Sequence, residues 1–286
     1  MKQLSCVCSI CARNFRKWQT DYRVWCIGFL LFVMTAIFAD DIRKLSEYIG
    51  SEMPVWIYPF MYTQFHTKLI FTLPVVLLFC NAPFTDRNQT FVFMRSGRIK
   101  WLCGQIMYIV FASAVYYLYL FVVSLLLTVF SGELNLEWGK TLTALSVSNS
   151  VGFEAGTPFV DIPYTVITFF KPLQAVWFTF LMSWLGAIFI GLTIFFFNLI
   201  SETRFLGVCV SSFFVLLSSA VANDVGWEGL LRFSPISWIT LDKIDVGGLT
   251  KCPSFSYCIS VFGILIVSLI TAILIFGRKK SLDNKG

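Results

Sequence analysis

Residues 173–200, LQAVWFTFLMSWLGAIFIGLTIFFFNLI, decide the fold of this chain because they contain no Asp, Glu, Lys, Arg or His. A helix needs about 20 consecutive, mostly apolar residues to cross the hydrocarbon core of a bilayer. The stretch is longer than that, so it predicts a transmembrane helix that is tilted or extends beyond the lipid.

Five further apolar stretches predict the same element. The six predicted spans are residues 24–39, 60–83, 101–130, 173–200, 205–222 and 255–277. Hydrophobic residues make up 57% of the chain and charged residues 13%, whereas a soluble domain carries about 25% charged residues. The sequence therefore predicts an all-α integral membrane protein with a single transmembrane domain over residues 1–286. No basic run is interleaved with stacking aromatics, so we do not expect a nucleic-acid partner.

The distribution of charge predicts the orientation. If there are six spans and the N-terminus is inside, the cytoplasmic segments carry fourteen of the 22 Lys and Arg residues but only four of the 16 Asp and Glu residues. Basic residues accumulate on the cytoplasmic side of membrane proteins. An odd number of spans would place one strongly basic end outside, so we expect an even number and two cytoplasmic termini.

The segment before the first span predicts an amphipathic helix. Apolar residues recur there at intervals of four and three: Leu4, Cys8, Cys11, Phe15, Trp18 and Tyr22. That spacing places them on one face of a helix lying on the inner leaflet. The alternative is a plain basic flank with accidental periodicity.

The loop 81–100 is the main predicted cytoplasmic excursion. Thr85 suits an N-cap, Asp86 the first turn of a helix and Gly97 a C-cap. The intervening sequence DRNQTFVFMRS would form about three helical turns that present Phe91, Phe93 and Met94. An exposed apolar helix of this kind favours a protein partner. The alternative is a helix folded back onto the membrane surface.

Polar residues within the spans are few. Gln64, His66 and Lys68 near the outer part of the second span are the hypothesised lining of a polar pathway, which a kink expected at Pro74 would help to expose. The alternative is that Lys68 extends to the outer surface. Gln105 and Asn198 favour interhelical hydrogen bonds over substrate contacts.

The sequence also excludes some chemistry. His66 is the only histidine, which excludes a metalloprotease site that needs two His ligands. Residues 139–141, GKT, lack the leading glycine of a nucleotide-binding loop. We therefore expect no catalytic residue, no metal site and no cofactor on this chain, and any ATP hydrolysis to occur elsewhere.

The cysteines leave two questions open. Cys6, Cys8 and Cys11 are close in sequence but have no fourth metal ligand nearby. Cys252 and Cys258 fall on the predicted outer side, where a disulfide would depend on their geometry.

The outer loops after the third and fifth spans are long. The second contains GWEGLLRFSPISWITLDKI, residues 226–244, which is rich in Trp, Phe and Ile. Such a segment is expected at the outer interface or partly re-entering the membrane, not extended in water.

Taken together, this layout resembles the permease subunit of a type 2 ABC transporter, the exporter class with six helices per subunit. The resemblance rests on the basic amphipathic helix, on PFTDRNQTFVFMRSGRIKWLCGQ at 83–105 and on RFSPISWITLD at 232–242. It covers the whole chain in topology. The usual acidic residue before the coupling helix is missing here, and Asp86 is the nearest candidate.

The resemblance implies a separate ATPase partner, a homodimer or heterodimer that binds ATP and magnesium. The loop 81–100 would hold the coupling helix and the N-terminal segment the connecting helix. The implied ATPase contacts are Phe84, Asp86, Arg87, Phe91, Met94 and Arg95 in the loop and Phe15, Lys17 and Trp18 in the N-terminal segment. A second permease copy or a paralogue would complete the pathway in a bacterial cell membrane.

The cargo implied by the resemblance is a peptide, an antibiotic or another amphipathic molecule, including export as self-protection from an antimicrobial peptide. Two other readings stay open: an ion-coupled secondary transporter or channel, and a membrane enzyme or non-transporting assembly subunit. An ATPase gene adjacent to this one would favour the permease.

Overall fold

The computed structural model of the protein describes residues 2–84, 96–130, 132, 136–148, 157, 160–201, 203–223, 225–245, 248 and 251–283. Within these ranges the chain is helical and contains no strand, which confirms the predicted all-α class. The α-helices are α1 (Lys2–Arg16), α2 (Tyr22–Ile49), α3 (Phe65–Phe79), α4 (Arg98–Val129), α5 (Gly139–Val147), α6 (Tyr164–Phe169), α7 (Pro172–Ser201), α8 (Phe205–Asn223) and α9 (Phe255–Asp283).

Four helices are long and apolar enough to cross a membrane: α2, α4, α7 and the Phe255–Arg278 part of α9. These helices identify a membrane-embedded protein. The other two predicted spans are also apolar helices but shorter, Phe65–Phe79 and Phe205–Val221.

The helix that contains the first predicted span, 24–39, is longer than that span, since α2 begins at Tyr22 and continues to Ile49. Charged side chains support the added turns: Lys44 Nζ lies 2.8 Å from Asp40 Oδ2, and Arg43 Nε lies 3.1 Å from Glu47 Oε1. Pairs at this spacing stabilise a helix where it faces water. Gly50, with a φ of 70°, then ends α2.

The second predicted span, 60–83, contains a shorter helix than expected. Tyr58–Tyr62 form a buried 3₁₀ turn, and α3 begins at Phe65. Pro74 lies inside α3 and has no N–H to donate to the preceding turn. The Tyr116 hydroxyl donates to the Phe71 carbonyl in that turn at 2.9 Å, so α4 stabilises the region around the proline.

The N-terminal helix ends before the last two residues of the apolar face predicted for it, Trp18 and Tyr22. α1 ends at Arg16, a 3₁₀ turn follows at Lys17–Gln19, and the Asp21 side chain accepts from the Arg23 amide to start α2. Tyr22 is therefore on a new helix and 74% exposed, so its predicted place on the α1 face was wrong. The break follows from Asp21, a residue favoured at N-caps.

α7 lies at the centre of the bundle, packed against α3, α4, α8 and α9. Gly191 permits the closest approach, because a Cβ there would lie 2.6 Å from Ile109 Cγ2 and 3.0 Å from Phe79 Cδ2. Three helices therefore meet around a residue without a side chain.

The segment after α8 packs onto the bundle as predicted for a segment that is not extended in water. Pro235–Ile239 form a 3₁₀ turn in which every residue is buried against α7, α8 and α9. The Trp238 indole donates to the Leu231 carbonyl at 2.7 Å, which satisfies its only polar group.

Replacing Gly191 by leucine tests the central packing. We expect Gly191→Leu to lower the free energy of unfolding by about 1–3 kcal/mol, because the added side chain overlaps Ile109 and Phe79. The measurement is unfolding of the purified protein in mixed micelles.

Gly263→Leu is the matched control, since Gly263 is also helical and nothing lies within 4 Å of its Cβ position. Equal unfolding free energies for the two variants would contradict the packing described for α7.

Candidate functional site

α1 packs closely against the first turns of α4. Ile10 and Cys11 are buried there. A Cβ on Gly104 would lie 2.7 Å from Ile10 Cγ2, so glycine is needed for the two helices to approach this closely. Cys8, which the predicted stripe placed on the same face as Cys11, is exposed.

A buried amide pair fixes the register of α1 on α4. The Asn14 side chain donates from Nδ2 to Gln105 Oε1 at 3.0 Å. Both residues are almost fully buried, so neither amide has water as an alternative partner. The predicted interhelical hydrogen bond of Gln105 is confirmed.

Four aromatic side chains meet just beyond this pair: Phe15, Trp18, Tyr108 and Phe84. We call them the aromatic junction. Tyr108 is central, with ring centroids 5.1 Å from Phe15 and 4.8 Å from Phe84, and its hydroxyl accepts from Trp18 Nε1 at 2.7 Å. Edge-to-face aromatic contacts add stability beyond the area that they bury. The junction therefore joins α1, α4 and the residues after α3.

Three predicted ATPase contacts, Phe15, Trp18 and Phe84, belong to this junction. Lys17 lines a neighbouring cavity with Trp18 and Phe84. The other predicted contacts lie outside the described residues: Asp86, Arg87, Phe91, Met94 and Arg95. The predicted N-cap Thr85 and the body of the coupling helix lie outside them as well.

Gly97 has a positive φ of 77° and stands immediately before α4 as its N-cap. The sequence predicted it as the C-cap of the preceding helix. Its ψ of 154° differs from the left-handed helical conformation that such a C-cap adopts.

Asn198 fixes the chain segment that leads to Phe84. Its Nδ2 donates to the Ala82 carbonyl at 2.7 Å, and its Oδ1 accepts from the Gly207 amide at 2.9 Å. The predicted interhelical role of Asn198 is thereby confirmed. A Cβ on Gly207 would collide with the Asn198 carboxamide oxygen, so this position also needs glycine.

Lys68 occupies a second polar region, at the other end of α3. Its side chain is 1% exposed, and its ammonium group donates to the Ser237 carbonyl at 3.4 Å. The Ser237 hydroxyl donates to Ser234 Oγ at 2.7 Å and lies 3.1 Å from the Ser218 carbonyl. Lys68 thus points into the bundle toward the Pro235–Ile239 turn, not outward.

Two buried polar atoms that follow the Pro235–Ile239 turn have no hydrogen-bond partner within the described residues, and one of them belongs to a carboxylate near Lys68. Asp242 lies close enough for its charge to act on the ammonium group, and its Oδ2 lies 3.0 Å from Lys243 Nζ. The buried Asp242 Oδ1 and Thr240 Oγ1 have no hydrogen-bond partner within the described residues. A buried ammonium group with one long hydrogen bond is costly unless a counter-charge is near.

The predicted pathway residues do not converge. His66 is exposed and its ring packs on Phe65, whereas Lys68 is buried. Gln64 is half-buried at the start of α3, where its backbone carbonyl accepts from the Lys68 amide. Residues two positions apart on a helix point to different sides, so His66 is turned away from Lys68.

The cysteines form no site in the described part of the chain. No group of three metal-ligating side chains occurs there, and no disulfide joins Cys252 to Cys258. Burial raises the pKa of the Cys11 thiol, with a smaller contribution from Cys8. A raised pKa opposes the thiolate form that binds metals.

Sequence reasoning missed Tyr108, Ser237 and Asp242. Tyr108 stands in an apolar run, and nothing in the sequence distinguishes it from aromatic residues that face lipid. Ser237 and Asp242 belong to the RFSPISWITLD segment, which was singled out for topology and not for a contact with Lys68.

Comparison with models of known families, with curated proteins and with solved structures found no match for this chain.

The Trp18–Tyr108 hydrogen bond is testable by a double-mutant cycle with Trp18→Phe and Tyr108→Phe. We expect each single variant to lose about 1 kcal/mol of unfolding free energy and the double variant to lose little more. The reason is that either substitution removes the same bond.

Tyr117→Phe is the control for this cycle, because it changes the same residue type on the same helix and its hydroxyl has no partner in the described residues. Its coupling to Trp18→Phe should be close to zero. An equally small coupling between positions 18 and 108 would contradict the junction.

Proposed function

We propose that this chain is the permease subunit of a type 2 ABC exporter with six membrane spans and two cytoplasmic termini. In this proposal α1 is the connecting helix, and the loop 81–100 carries the coupling helix. A separate ATPase pair binds ATP and magnesium. Two permease copies, or one copy and a paralogue, enclose the translocation pathway.

The observation that carries the proposal is the meeting of α1 and the residues after α3 on Tyr108. Phe84 stands at the start of the loop, and Trp18 follows directly after α1. A partner that pushes on the loop would displace Phe84, Tyr108 and Trp18 together. ATP-driven closure of the ATPase pair could in this way tilt α1 and α4 as one unit.

The position of the basic residues supports an even number of spans. Arg204, before α8, donates to Asn81 Oδ1 after α3 at 3.5 Å. Arg278 on α9 lines one open cavity with Arg98 and Lys100 at the start of α4. The ends of several helices therefore bring cations to the same end of the bundle, as the cytoplasmic side requires.

The short helix α3 fits a span when its flanks are included. Its 15 residues extend about 22 Å, compared with about 30 Å of hydrocarbon. The buried Tyr58–Tyr62 turn precedes it and the buried Ala82 follows it. Protein, not lipid, surrounds these non-helical segments, which is the condition for irregular backbone at membrane depth.

The cargo that we propose is a peptide, an antibiotic or another amphipathic molecule. A second candidate function, an ion-coupled secondary transporter, is favoured by one observation, the buried Lys68 near Asp242. Intramembrane charges often mark ion or proton pathways. The ATPase requirement separates the two candidates.

Co-expression with an ABC ATPase whose gene adjoins this one tests the proposal. We expect the ATPase to co-purify with the chain and its ATP hydrolysis to depend on the complex. Arg87→Glu reverses a charge in the proposed coupling helix and should reduce the co-purified ATPase at least about tenfold, as loss of a charged contact at an interface does.

Arg43→Glu is the control, because Arg43 is exposed at the far end of α2 and is not in the loop. It should leave the complex intact. Absence of any co-purifying ATPase with the unaltered chain would reject the permease and favour the secondary transporter.

A further inference from the structure

A cavity of about 40 Å³ lies beside the aromatic junction, between α1, the start of α2 and the end of α3. This volume can hold about three water molecules, which is similar to the space that the exposed oxygens of one phosphate group occupy. Its lining changes from polar to apolar along its length, so we consider the two ends separately.

The polar end carries a net positive charge. Lys17, Arg23 and Asn81 line it together with one acid, Asp21. Arg204 adds a further cation through its contact with Asn81 Oδ1. Three cations and one carboxylate around the polar end attract an anion.

Arg23 has donor capacity left at this position. Its Nε and Nη2 donate to Asp21 at 3.2 and 3.3 Å, and its Nη1 donates to the Cys80 thiol at 3.4 Å. A guanidinium has five N–H groups, so two are not used in these bonds. The distances exceed the 2.7–2.9 Å typical of charge-assisted bonds, and sulfur is a weak acceptor.

The apolar end leads out to the lipid-facing surface. Val24, Ile27 and Leu78 line it, and Leu77, 47% exposed, lies at its edge. Leu73, one turn earlier on α3, is also exposed. An acyl chain could therefore follow α3 from the cavity into the bilayer.

The aromatic residues at the start of α2 place the cavity at the depth of the lipid headgroups. Tyr22 and Trp25 are 74% and 67% exposed. Exposed Tyr and Trp at the end of a spanning helix mark the interface between hydrocarbon and water.

We propose that this cavity binds an anionic phospholipid, with the phosphate between Lys17 and Arg23 and an acyl chain along Leu77. Basic pockets between helices at the membrane surface are suited to such headgroups. Charge complementarity selects a lipid with a net negative charge, and the graded lining requires an amphiphile. The site does not depend on the transport function proposed above, since every contact is to this chain.

Native mass spectrometry of the full-length protein tests this site. The protein is titrated with phosphatidylglycerol and, separately, with phosphatidylcholine of the same acyl chains. We expect tighter binding of phosphatidylglycerol. Arg23→Gln should weaken its binding about fivefold, the effect of one basic residue on the attraction of anionic lipid.

Arg43→Gln is the matched control, since it removes the same charge from the other end of α2, and we expect unchanged binding. Two further variants test the site if Arg23→Gln does not fold. Lys17→Gln should also weaken phosphatidylglycerol binding, and Leu77→Trp should block the cavity without changing its charge.

Equal affinity for the two lipids would overturn the proposal. So would equal losses in Arg23→Gln and Arg43→Gln, because these would show attraction to overall charge and not to this cavity. Failure of this experiment leaves the ATPase experiment unaffected, so the two proposals fail separately.

Discussion

The two hydrogen bonds of the Asn198 side chain are the interaction on which the end of the bundle around the aromatic junction depends. It bonds the Ala82 carbonyl after α3 and the Gly207 amide in α8, while standing on α7 itself. Phe84 follows Ala82 by two residues, so its place against Tyr108 depends on this bond. Moving this buried amide away from its two partners would be costly, because each donor or acceptor left without a hydrogen bond would destabilise the fold by about 1–3 kcal/mol.

The buried amide and ammonium side chains of the described bundle lie toward its two ends. At one end, Asn14, Gln105 and Asn198 bond to each other or to backbone. At the other, Lys68 and Ser237 connect α3 to the turn after α8. Hydrocarbon supplies no hydrogen-bond partner, so the few polar groups in such a chain must find partners inside the protein. The pairs thereby determine which helices are neighbours.

The helical class and the apolar segments were predictable from the sequence because each depends on composition over a long window. The helix ends were less so. α2 continues through Asp40 and Asp41 because Lys44 pairs with both, and α1 stops at Arg16 because Asp21 caps the next helix. Local contacts of this kind, and not the hydropathy averaged over a window, determine where these helices end.

The sequence singled out Phe15, Trp18 and Phe84 as contacts for an ATPase partner, and it did not predict that they meet one another. Tyr108, which joins them, could not be distinguished in the sequence from the other aromatic residues of an apolar span. Lys68 was expected to line a pathway or reach outward. Its contact with Ser237, 169 positions along the chain, depends on tertiary packing that no local pattern encodes.

The most direct test of the proposed six-span arrangement is to determine on which side of the membrane the loop 81–100 lies. If only α2, α4, α7 and α9 crossed the membrane, this loop would lie on the side opposite to the one proposed. Thiol labelling in cells can measure it, with the nine native cysteines replaced. One chain carries Thr90→Cys and a second carries Glu137→Cys. We predict that a membrane-impermeant reagent labels position 137 in intact cells and position 90 only after the membrane is permeabilised. Labelling of position 90 in intact cells would contradict the account.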